Sequence, residues 1–206
     1  MTRSEAGGSE LAKRALDLTL CALSAPLVLP VSLALGLAIR LESPGGALFR
    51  QVRVGRHGQD FTVFKLRTMV ENAEHIGAGL YAEANDPRFT KVGLFARRFS
   101  LDELPQVLNI LRGEMSWVGP RPALRLSVEA YPEPYEAILQ VKPGLTGLAQ
   151  INGRNALVRS ARLAFDAEYA RTWTVLGDIQ ILLKTFRVVL LGEGQLNDQS
   201  AADVEQ

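Results

Sequence analysis

Residues 18–39 read LTLCALSAPLVLPVSLALGLAI, and these 22 consecutive positions hold no charged side chain. An α-helix needs about 20 apolar residues to cross the hydrocarbon core of a bilayer. Lys13 and Arg14 precede the stretch, and Arg40 follows it. Because basic residues favour the cytoplasmic side, this arrangement predicts a membrane helix whose two ends stay on the same side.

Two prolines lie in the middle of the stretch. Pro26 and Pro30 each lack an N–H group, and each ring clashes with the carbonyl four residues earlier. We therefore expect a helix–break–helix hairpin that enters and leaves one membrane face. Ser24 and Ser32 are placed to satisfy freed carbonyls, so a straight transmembrane helix stays open, as does a buried helix of a soluble protein. A signal peptide is disfavoured because the stretch is too long.

The composition excludes several classes of protein and several kinds of metal or catalytic site. The chain has 206 residues, of which 47% are hydrophobic and 22% charged, with a net charge of +1. These values exclude a disordered chain and a basic nucleic-acid-binding arm. One Cys excludes a disulfide framework and a Cys-based zinc site, and two His argue against a His-centred triad. We expect oxygen ligands for any metal.

The rest of the chain predicts an α+β, mostly helical fold with a small β-hairpin. We expect a loose tail at residues 1–12, the membrane helix at 13–42, one catalytic domain at 43–192 and a second tail at 193–206. The hairpin strands are predicted at Ala47–Val54 and Phe61–Met69. Helices are predicted at residues 70–83, 105–112, 123–140 and 160–191, the last with a possible break at Gly177.

One strand of the hairpin carries two cations on one face. Lys65 and Arg67 are two positions apart, so both side chains leave the strand on the same side. They form either a solvated face or a basic pair that faces an anion.

Asp102 and Glu103 are the strongest candidates for chemistry. Ser100 and Glu103 have the spacing of a capping box, in which both side chains only satisfy the N–H groups of a helix start. However, Pro105 fits best as the first helical residue, which leaves both carboxylates just before the positive end of the helix. There an ionised Asp can attack phosphorus and an ionised Glu can hold Mg²⁺. Both interpretations stay open.

Arginines flank this acidic pair along the chain, and their planar guanidinium groups match the oxygens of phosphate. The prolines on either side of Arg121 fix its backbone, and Arg154 lies in a polar loop. The full set is Arg97, Arg98, Arg112, Arg121 and Arg154.

Several motifs occur together in this chain. They are Lys13-Arg14-x-x-Asp17, Ser43-Pro44-Gly45, Phe49-Arg50-Gln51-x-Arg53-Val54-Gly55, Phe64-Lys65-x-Arg67-x-Met69, Ser100-Leu101-Asp102-Glu103-Leu104-Pro105-Gln106, Gly113-Glu114-Met115-Ser116, Val118-Gly119-Pro120-Arg121-Pro122 and Pro143-Gly144-Leu145-Thr146-Gly147. With the proline-broken apolar stretch, the set resembles the bacterial sugar transferases, the monotopic phosphoglycosyl transferases, in their minimal catalytic form. The family usually breaks its membrane helix at adjacent Ser-Pro, which aligns here with Leu29-Pro30, so the position of the bend stays open.

The resemblance implies an enzyme that moves a sugar 1-phosphate from a UDP-sugar to polyprenyl phosphate and releases UMP. It implies that Asp102 is the nucleophile of a covalent intermediate and that Glu103 binds Mg²⁺. Phosphate contacts are implied for Arg97, Arg121, Lys65 and Arg154. It also implies the cytoplasmic face of the bacterial inner membrane and no nucleic acid, and it leaves a homodimer open. The alternative is a non-catalytic membrane-surface protein that binds a nucleotide or a lipid phosphate.

Overall fold

A computed structural model describes residues 3–76, 86–131, 133–153 and 157–191. The helices are α1 (Arg3–Glu42), α2 (Lys91–Arg98), α3 (Val107–Arg112), α4 (Arg125–Glu129), α5 (Leu148–Ile151), α6 (Arg159–Thr172) and α7 (Val175–Leu191). The strands are β1 (Leu48–Val54), β2 (Asp60–Leu66), β3 (Ser116–Val118) and β4 (Gly144–Thr146). Short 3₁₀ helices cover Arg56–Gly58, Ala73–His75, Leu101–Gln106 and Glu133–Gln140. The predicted α+β, mostly helical fold is confirmed.

Helix α1 is longer and more continuous than the sequence predicted. It begins at Arg3, inside the segment predicted as a loose tail, and it continues through Pro26 and Pro30 without interruption. One reason for the early start is an ion pair of 2.6 Å between Glu10 and Arg56, which ties the first turns to the rest of the fold. The chain therefore does not form two separate helices here, and a bend at either proline stays a prediction.

The N-terminal half of α1 is fastened to the domain by buried polar contacts. Asp17 accepts hydrogen bonds from Ser116 Oγ at 2.9 Å and from the Trp117 backbone N–H at 3.0 Å. Lys13 donates to the Val118 carbonyl at 3.0 Å and pairs with Asp178. These contacts join α1 to β3 and to α7.

The C-terminal end of α1 is fastened to the same domain. Glu42 accepts hydrogen bonds from the backbone N–H groups of Lys91 and Val92, at 2.7 and 2.9 Å, which start α2. Ile39 is fully buried. Between the two ends, Cys21 and Val28 pack in one cluster with residues of α3. The folded domain therefore contacts α1 on both sides of its apolar stretch.

The opposite face of α1 is uncovered. Six of its leucines are between 61% and 79% exposed: Leu11, Leu23, Leu27, Leu33, Leu37 and Leu41. Only 17% of the most apolar window of the helix is buried. The helix is long and apolar enough to cross a membrane, by length and composition, and it is mostly exposed, unlike a buried core helix.

The β-hairpin is confirmed. Strands β1 and β2 pair antiparallel, from Leu48 opposite Leu66 to Val54 opposite Asp60. The sequence missed a second, parallel pair, in which Ser116 of β3 lies opposite Gly144 of β4. The two chains approach so closely that a Cβ on Gly144 would lie 2.1 Å from the Gly119 nitrogen, so glycine is required there. This pair fixes the start of the loop that carries Arg121.

Three predicted helices differ from the structure. Residues 70–83 hold a short 3₁₀ helix at Ala73–His75, and residues 77–83 lie outside the described ranges. Residues 123–140 form α4 and a 3₁₀ helix, and the two prolines in this part of the sequence disfavour one continuous α-helix. The break in the last helical region lies at residues 173–174 and not at Gly177, because the Thr174 hydroxyl accepts a hydrogen bond from the Gly177 N–H and begins α7.

Candidate active site

The acidic pair lies on the 3₁₀ helix Leu101–Gln106, between α2 and α3. Ser100 precedes it with a positive φ of 56° and makes no side-chain cap hydrogen bond to this helix. The capping-box interpretation is therefore wrong. The α-helix begins at Val107, two residues after Pro105, because residues 101–106 follow the tighter 3₁₀ geometry. The turn directs both carboxylates toward β2 and the loop after β3.

Glu103 is held by two cations. Its Oε1 accepts hydrogen bonds from Lys65 Nζ at 2.9 Å and from Arg121 Nη2 at 2.6 Å. Burial by itself raises the pKa of Glu103, but the charges and hydrogen bonds of Arg121 and Lys65 outweigh it and hold the pKa well below its usual range. Glu103 is therefore ionised at neutral pH. Of the two cations predicted to share one face of the strand, Lys65 faces this carboxylate.

The second cation of that pair has a different role. Arg67 donates to the Ser43 carbonyl at 2.9 Å and to the Pro44 carbonyl, so it holds the turn after α1. It therefore does not share an anion with Lys65.

Asp102 has the same neighbours but a different electrostatic balance. Its side chain is 9% exposed. Burial raises the pKa of Asp102 to about 6, and the adjacent Glu103 charge adds to the rise. The charges of Lys65, Arg97 and Arg121 act in the opposite direction. The carboxylate is thus ionised at pH 7 but weakly neutralised, which suits a nucleophile more than a structural ion pair.

Arg97 completes the cationic side of the site. It lies in the last turn of α2, with its guanidinium 4.9 Å from the centre of the Phe89 ring. Burial lowers the pKa of Arg97, while the Asp102 charge raises it, which shows that the two groups interact. The Glu103 charge raises the pKa of Arg121. Lys65, Arg97 and Arg121 therefore surround the acidic pair from three separate elements.

Other arginines singled out in the sequence lie elsewhere. Arg98 and Arg112 stack near the rings of Phe99 and Phe64, at 5.6 and 5.0 Å. Arg154 lies outside the described residues, so its predicted phosphate contact stays a prediction.

Sequence reasoning missed Asn109, which is fully buried on α3. Its Nδ2 donates to the Thr62 carbonyl and to Glu114 Oε2, both at 2.7 Å, and its Oδ1 accepts from the Phe64 N–H at 3.2 Å. These bonds fasten β2 to the helix that follows the acidic turn, and so they set the distance between Lys65 and Glu103. The signal in the sequence is a polar residue among the apolar positions of a short helix.

Sequence reasoning also missed Asp166 and Arg162 on α6 and Arg53 on β1. Asp166 is buried, three residues after buried Leu163 and next to buried Ala167. A carboxylate within the apolar stripe of a helix is the signal that identifies it.

The acidic pair has the oxygen donors that Mg²⁺ prefers. In the described part of the chain, no three His, Cys, Asp or Glu side chains are grouped as an all-protein metal site. Mg²⁺ at phosphoryl-transfer sites uses one or two carboxylates together with water and substrate phosphates. Asp102 and Glu103 fit that type of site, although Glu103 is engaged by Lys65 and Arg121 in this structure.

Comparison with known proteins gives three informative relatives. The chain is 38% identical over 198 residues to the exopolysaccharide production protein ExoY of Sinorhizobium fredii, covering 89% of this chain and 88% of that protein. It is 46% identical over 187 residues to the UDP-glucose:undecaprenyl-phosphate glucose-1-phosphate transferase of Caulobacter vibrioides, covering 85% of this chain and 68% of that protein. It is 40% identical over 201 residues to the undecaprenyl-phosphate galactose phosphotransferase of Salmonella typhimurium, covering 90% of this chain but only 42% of that protein.

A family model agrees with these relatives. The model described as bacterial sugar transferase matches residues 8–192, which include most of α1, the acidic turn and every cation of the site described above. The chain belongs to the bacterial sugar transferase family.

Proposed function

We propose that this chain transfers a sugar 1-phosphate from a UDP-sugar to polyprenyl phosphate and releases UMP. The observation that carries the proposal is the buried Asp102 carboxylate next to Glu103, with Lys65, Arg97 and Arg121 interacting with the pair. The names of the Caulobacter and Salmonella relatives, which specify undecaprenyl phosphate together with glucose or galactose, support the substrates. We accordingly propose a hexose donor of the glucose or galactose type.

The proposed reaction has two displacements at one phosphorus atom. In the first, an Asp102 carboxylate oxygen forms a bond to the sugar-bearing phosphorus, the phosphoanhydride bond breaks, and UMP leaves with the bridging oxygen. In the second, an oxygen of polyprenyl phosphate attacks the same phosphorus, and the Asp102 carboxylate leaves. The product is polyprenyl-diphosphate-sugar, and Asp102 returns to its starting state.

The cations neutralise the phosphate oxygens during both displacements. Phosphoryl transfer depends mainly on positioning and on neutralising oxygen charge. Arg121 and Lys65 are placed to exchange their contacts with Glu103 for contacts with the donor diphosphate, which would free the Glu103 carboxylate as a metal ligand. A bound Mg²⁺ would neutralise further negative charge at the diphosphate. Arg97 remains beside Asp102 and orients it.

We further propose that α1 is a re-entrant membrane helix at the cytoplasmic face of the inner membrane. Its two ends contact the same domain, through Asp17 and Glu42, and its leucine face is uncovered. A straight transmembrane helix would carry its ends to opposite faces, where one domain cannot hold both. A covalent intermediate suits this location, because the soluble donor and the lipid acceptor need not be bound together.

The test is a panel of UDP-sugars with undecaprenyl phosphate and Mg²⁺, measured as UMP release by the full chain in detergent or nanodiscs. We expect release with at least one UDP-hexose and dependence on the lipid for multiple turnovers. Binding of donor or lipid without release from any UDP-sugar would support the alternative, a non-catalytic protein at the membrane surface.

A further inference from the structure

A buried carboxylate lies beyond the acidic pair, on the inner face of α6. Asp166 is 4% exposed, and its Oδ1 has no hydrogen-bond partner among the residues that the structure describes. Leaving a buried acceptor unpaired costs about 1–3 kcal/mol. Most native proteins avoid this cost, so an orphaned carboxylate oxygen calls for a partner that the described residues do not supply.

The groups around Asp166 connect it to the proposed active site. Burial raises the pKa of Asp166 to about 7, against the opposing charges of Arg162 and Arg121. Burial, together with the Asp166 charge, raises the pKa of Tyr131 to about 12. Arg121 at the same time donates to Glu103 at 2.6 Å. Arg121 therefore interacts with Glu103 through a hydrogen bond and with Asp166 through its charge.

Two further arginines, Arg53 and Arg162, interact with the charge of Arg121. Burial and the Arg121 charge lower the pKa of Arg53 to about 10, and its guanidinium donates to the neutral oxygens of Gln51 at 3.0 Å and Pro122 at 3.2 Å. Burial also lowers the pKa of Arg162, with the Arg121 charge as a further cause. Arg53 and Arg162 thus raise the positive potential next to the cleft lined by Arg121, Tyr131 and Ala123. A ligand with two phosphates and neutral hydroxyl groups matches this charge pattern.

We propose that Asp166 is a specificity-determining residue whose Oδ1 accepts a hydrogen bond from a hydroxyl group of the UDP-sugar. A hydroxyl is the matching partner, because the phosphates of the donor would be repelled by a carboxylate and attracted by Arg53, Arg121 and Arg162. The donor carries such hydroxyls on its sugar and on its ribose, and either can supply the bond. The inference rests on the proposed function, since it assumes that a UDP-sugar occupies this site.

The experiment compares donors that lack one hydroxyl at a time. The full chain is assayed for UMP release with the preferred UDP-sugar, with deoxy analogues at each sugar position, and with the 2′- and 3′-deoxyribose analogues. For wild type we expect a fall in kcat/KM of about 10-fold or more with one of these analogues, because the buried oxygen then stays unpaired. The analogue that shows this loss identifies the sugar or the ribose as the source.

Substitution of Asp166 tests whether this residue reads that hydroxyl. In Asp166→Leu, the ratio of kcat/KM between the complete donor and that one analogue should fall to about 1–3-fold. A merely structural role would instead lower activity with all donors equally. Asp166→Asn keeps a carbonyl acceptor and should retain part of the preference, so it serves as the second variant if the Leu variant fails to fold. Glu168→Gln, on the exposed face of the same helix, is the matched control.

The outcomes separate this inference from the proposed function. The role of Asp166 would be overturned if wild type showed no discrimination against any deoxy donor, or if the Asp166 variants kept every wild-type preference. In both cases, UMP release would still support the transferase. Failure of wild type to release UMP from any UDP-sugar would overturn the proposed function and this inference with it.

Discussion

Asp102 and Glu103 are adjacent in the chain and share neighbours, yet their pKa values move in opposite directions. Glu103 accepts hydrogen bonds from Lys65 and Arg121, which lower its pKa. Burial and the Glu103 charge raise the pKa of Asp102 to about 6. Environments that shift the pKa values of two carboxyl groups in opposite directions suit the two groups to different chemical roles. This difference supports the proposal that Asp102, the more basic carboxylate, is the nucleophile and that Glu103 is the metal ligand.

The role of Glu103 can be tested by its dependence on metal. In Glu103→Gln the side chain keeps its size but loses its charge, so we expect the Mg²⁺ concentration for half-maximal UMP release to rise at least about 10-fold, one order of magnitude being the loss of about 1.4 kcal/mol of binding free energy. Glu129→Gln, an exposed carboxylate on α4, is the control. An unchanged Mg²⁺ requirement in the Glu103 variant would count against a metal role.

Asp166 makes stability depend on pH. Burial raises its pKa to about 7 from 3.8, so the folded state favours the neutral carboxyl. This contribution to stability is present at low pH and is lost as the pH rises through about 7. Between pH 5 and pH 8 we expect the stability of Asp166→Asn relative to wild type to rise by about 1–3 kcal/mol.

Thermal unfolding in one detergent at both pH values measures this change. Glu168→Gln should show no such rise relative to wild type. A stability difference between Asp166→Asn and wild type that stays constant from pH 5 to pH 8 would show that Asp166 is charged in the folded protein throughout.

Among the secondary-structure elements, the β-hairpin and α3 are joined by hydrogen bonds of the Asn109 side chain. Asn109 pairs with two carbonyl or carboxylate oxygens and with the Phe64 N–H, all in the interior. Asn109→Leu leaves these groups unpaired, so we expect a loss of about 3 kcal/mol in the free energy of unfolding. We also expect slower UMP release, because Lys65 on β2 loses its fixed distance from Glu103.

Chemical denaturation and the UMP assay measure the two effects. Asn152→Leu, which removes an exposed hydrogen bond to the Leu148 carbonyl, is the control and should cost less than about 1 kcal/mol. Wild-type stability in Asn109→Leu would mean that the buried network does not hold β2 against α3.

Helix α1 has a topology that labelling can determine. Cysteines introduced as Ser9→Cys and Gly46→Cys, in a Cys21→Ser background, lie before and after the apolar stretch. Because both ends contact one domain, we expect a membrane-impermeant maleimide to label both positions from the cytoplasmic side in inverted vesicles. Labelling of the two cysteines from opposite sides would establish a straight transmembrane helix.

Local sequence patterns predicted the elements that are formed by residues close together in the sequence. The alternating strands around Gly55 and Gly58 gave the hairpin, and the proline in the acidic turn indicated that Asp102 and Glu103 are not simply a cap. The parallel pair β3–β4 was missed because its two strands of three residues are joined by contacts distant in sequence. The continuity of α1 was missed because the local cost of two prolines is offset by packing along the domain.

In the candidate active site, too, some residues were recognised from the sequence and others only from the structure. The family resemblance singled out Lys65, Arg97 and Arg121, and the structure brings all three to the acidic pair. The surroundings of Asn109 and Asp166 are formed by residues on other elements. The local sequence around each residue therefore does not indicate its role. Both are polar residues at buried positions of a helix, and that conflict with the apolar pattern is the signal to search for.

Viewed as one molecule, the chain uses one face of α1 as part of its core. Cys21 and Val28 of α1 pack with Val107, Ile110 and Met115 directly behind the acidic turn. The opposite face of α1 presents exposed leucines. The site is thus built on the element proposed to enter the bilayer, which would hold Asp102 near the depth of a lipid phosphate.

The covalent intermediate on Asp102 is the central claim. The most direct measurement incubates the protein with a UDP-sugar labelled at the sugar-bearing phosphate, without lipid acceptor, and follows UMP release and label retained on denatured protein. We predict about one UMP and one label per active wild-type molecule, and neither for Asp102→Asn, while the surface variant Asp60→Asn behaves as wild type. Release of UMP by Asp102→Asn at the wild-type rate, or label retained on that variant, would contradict the account.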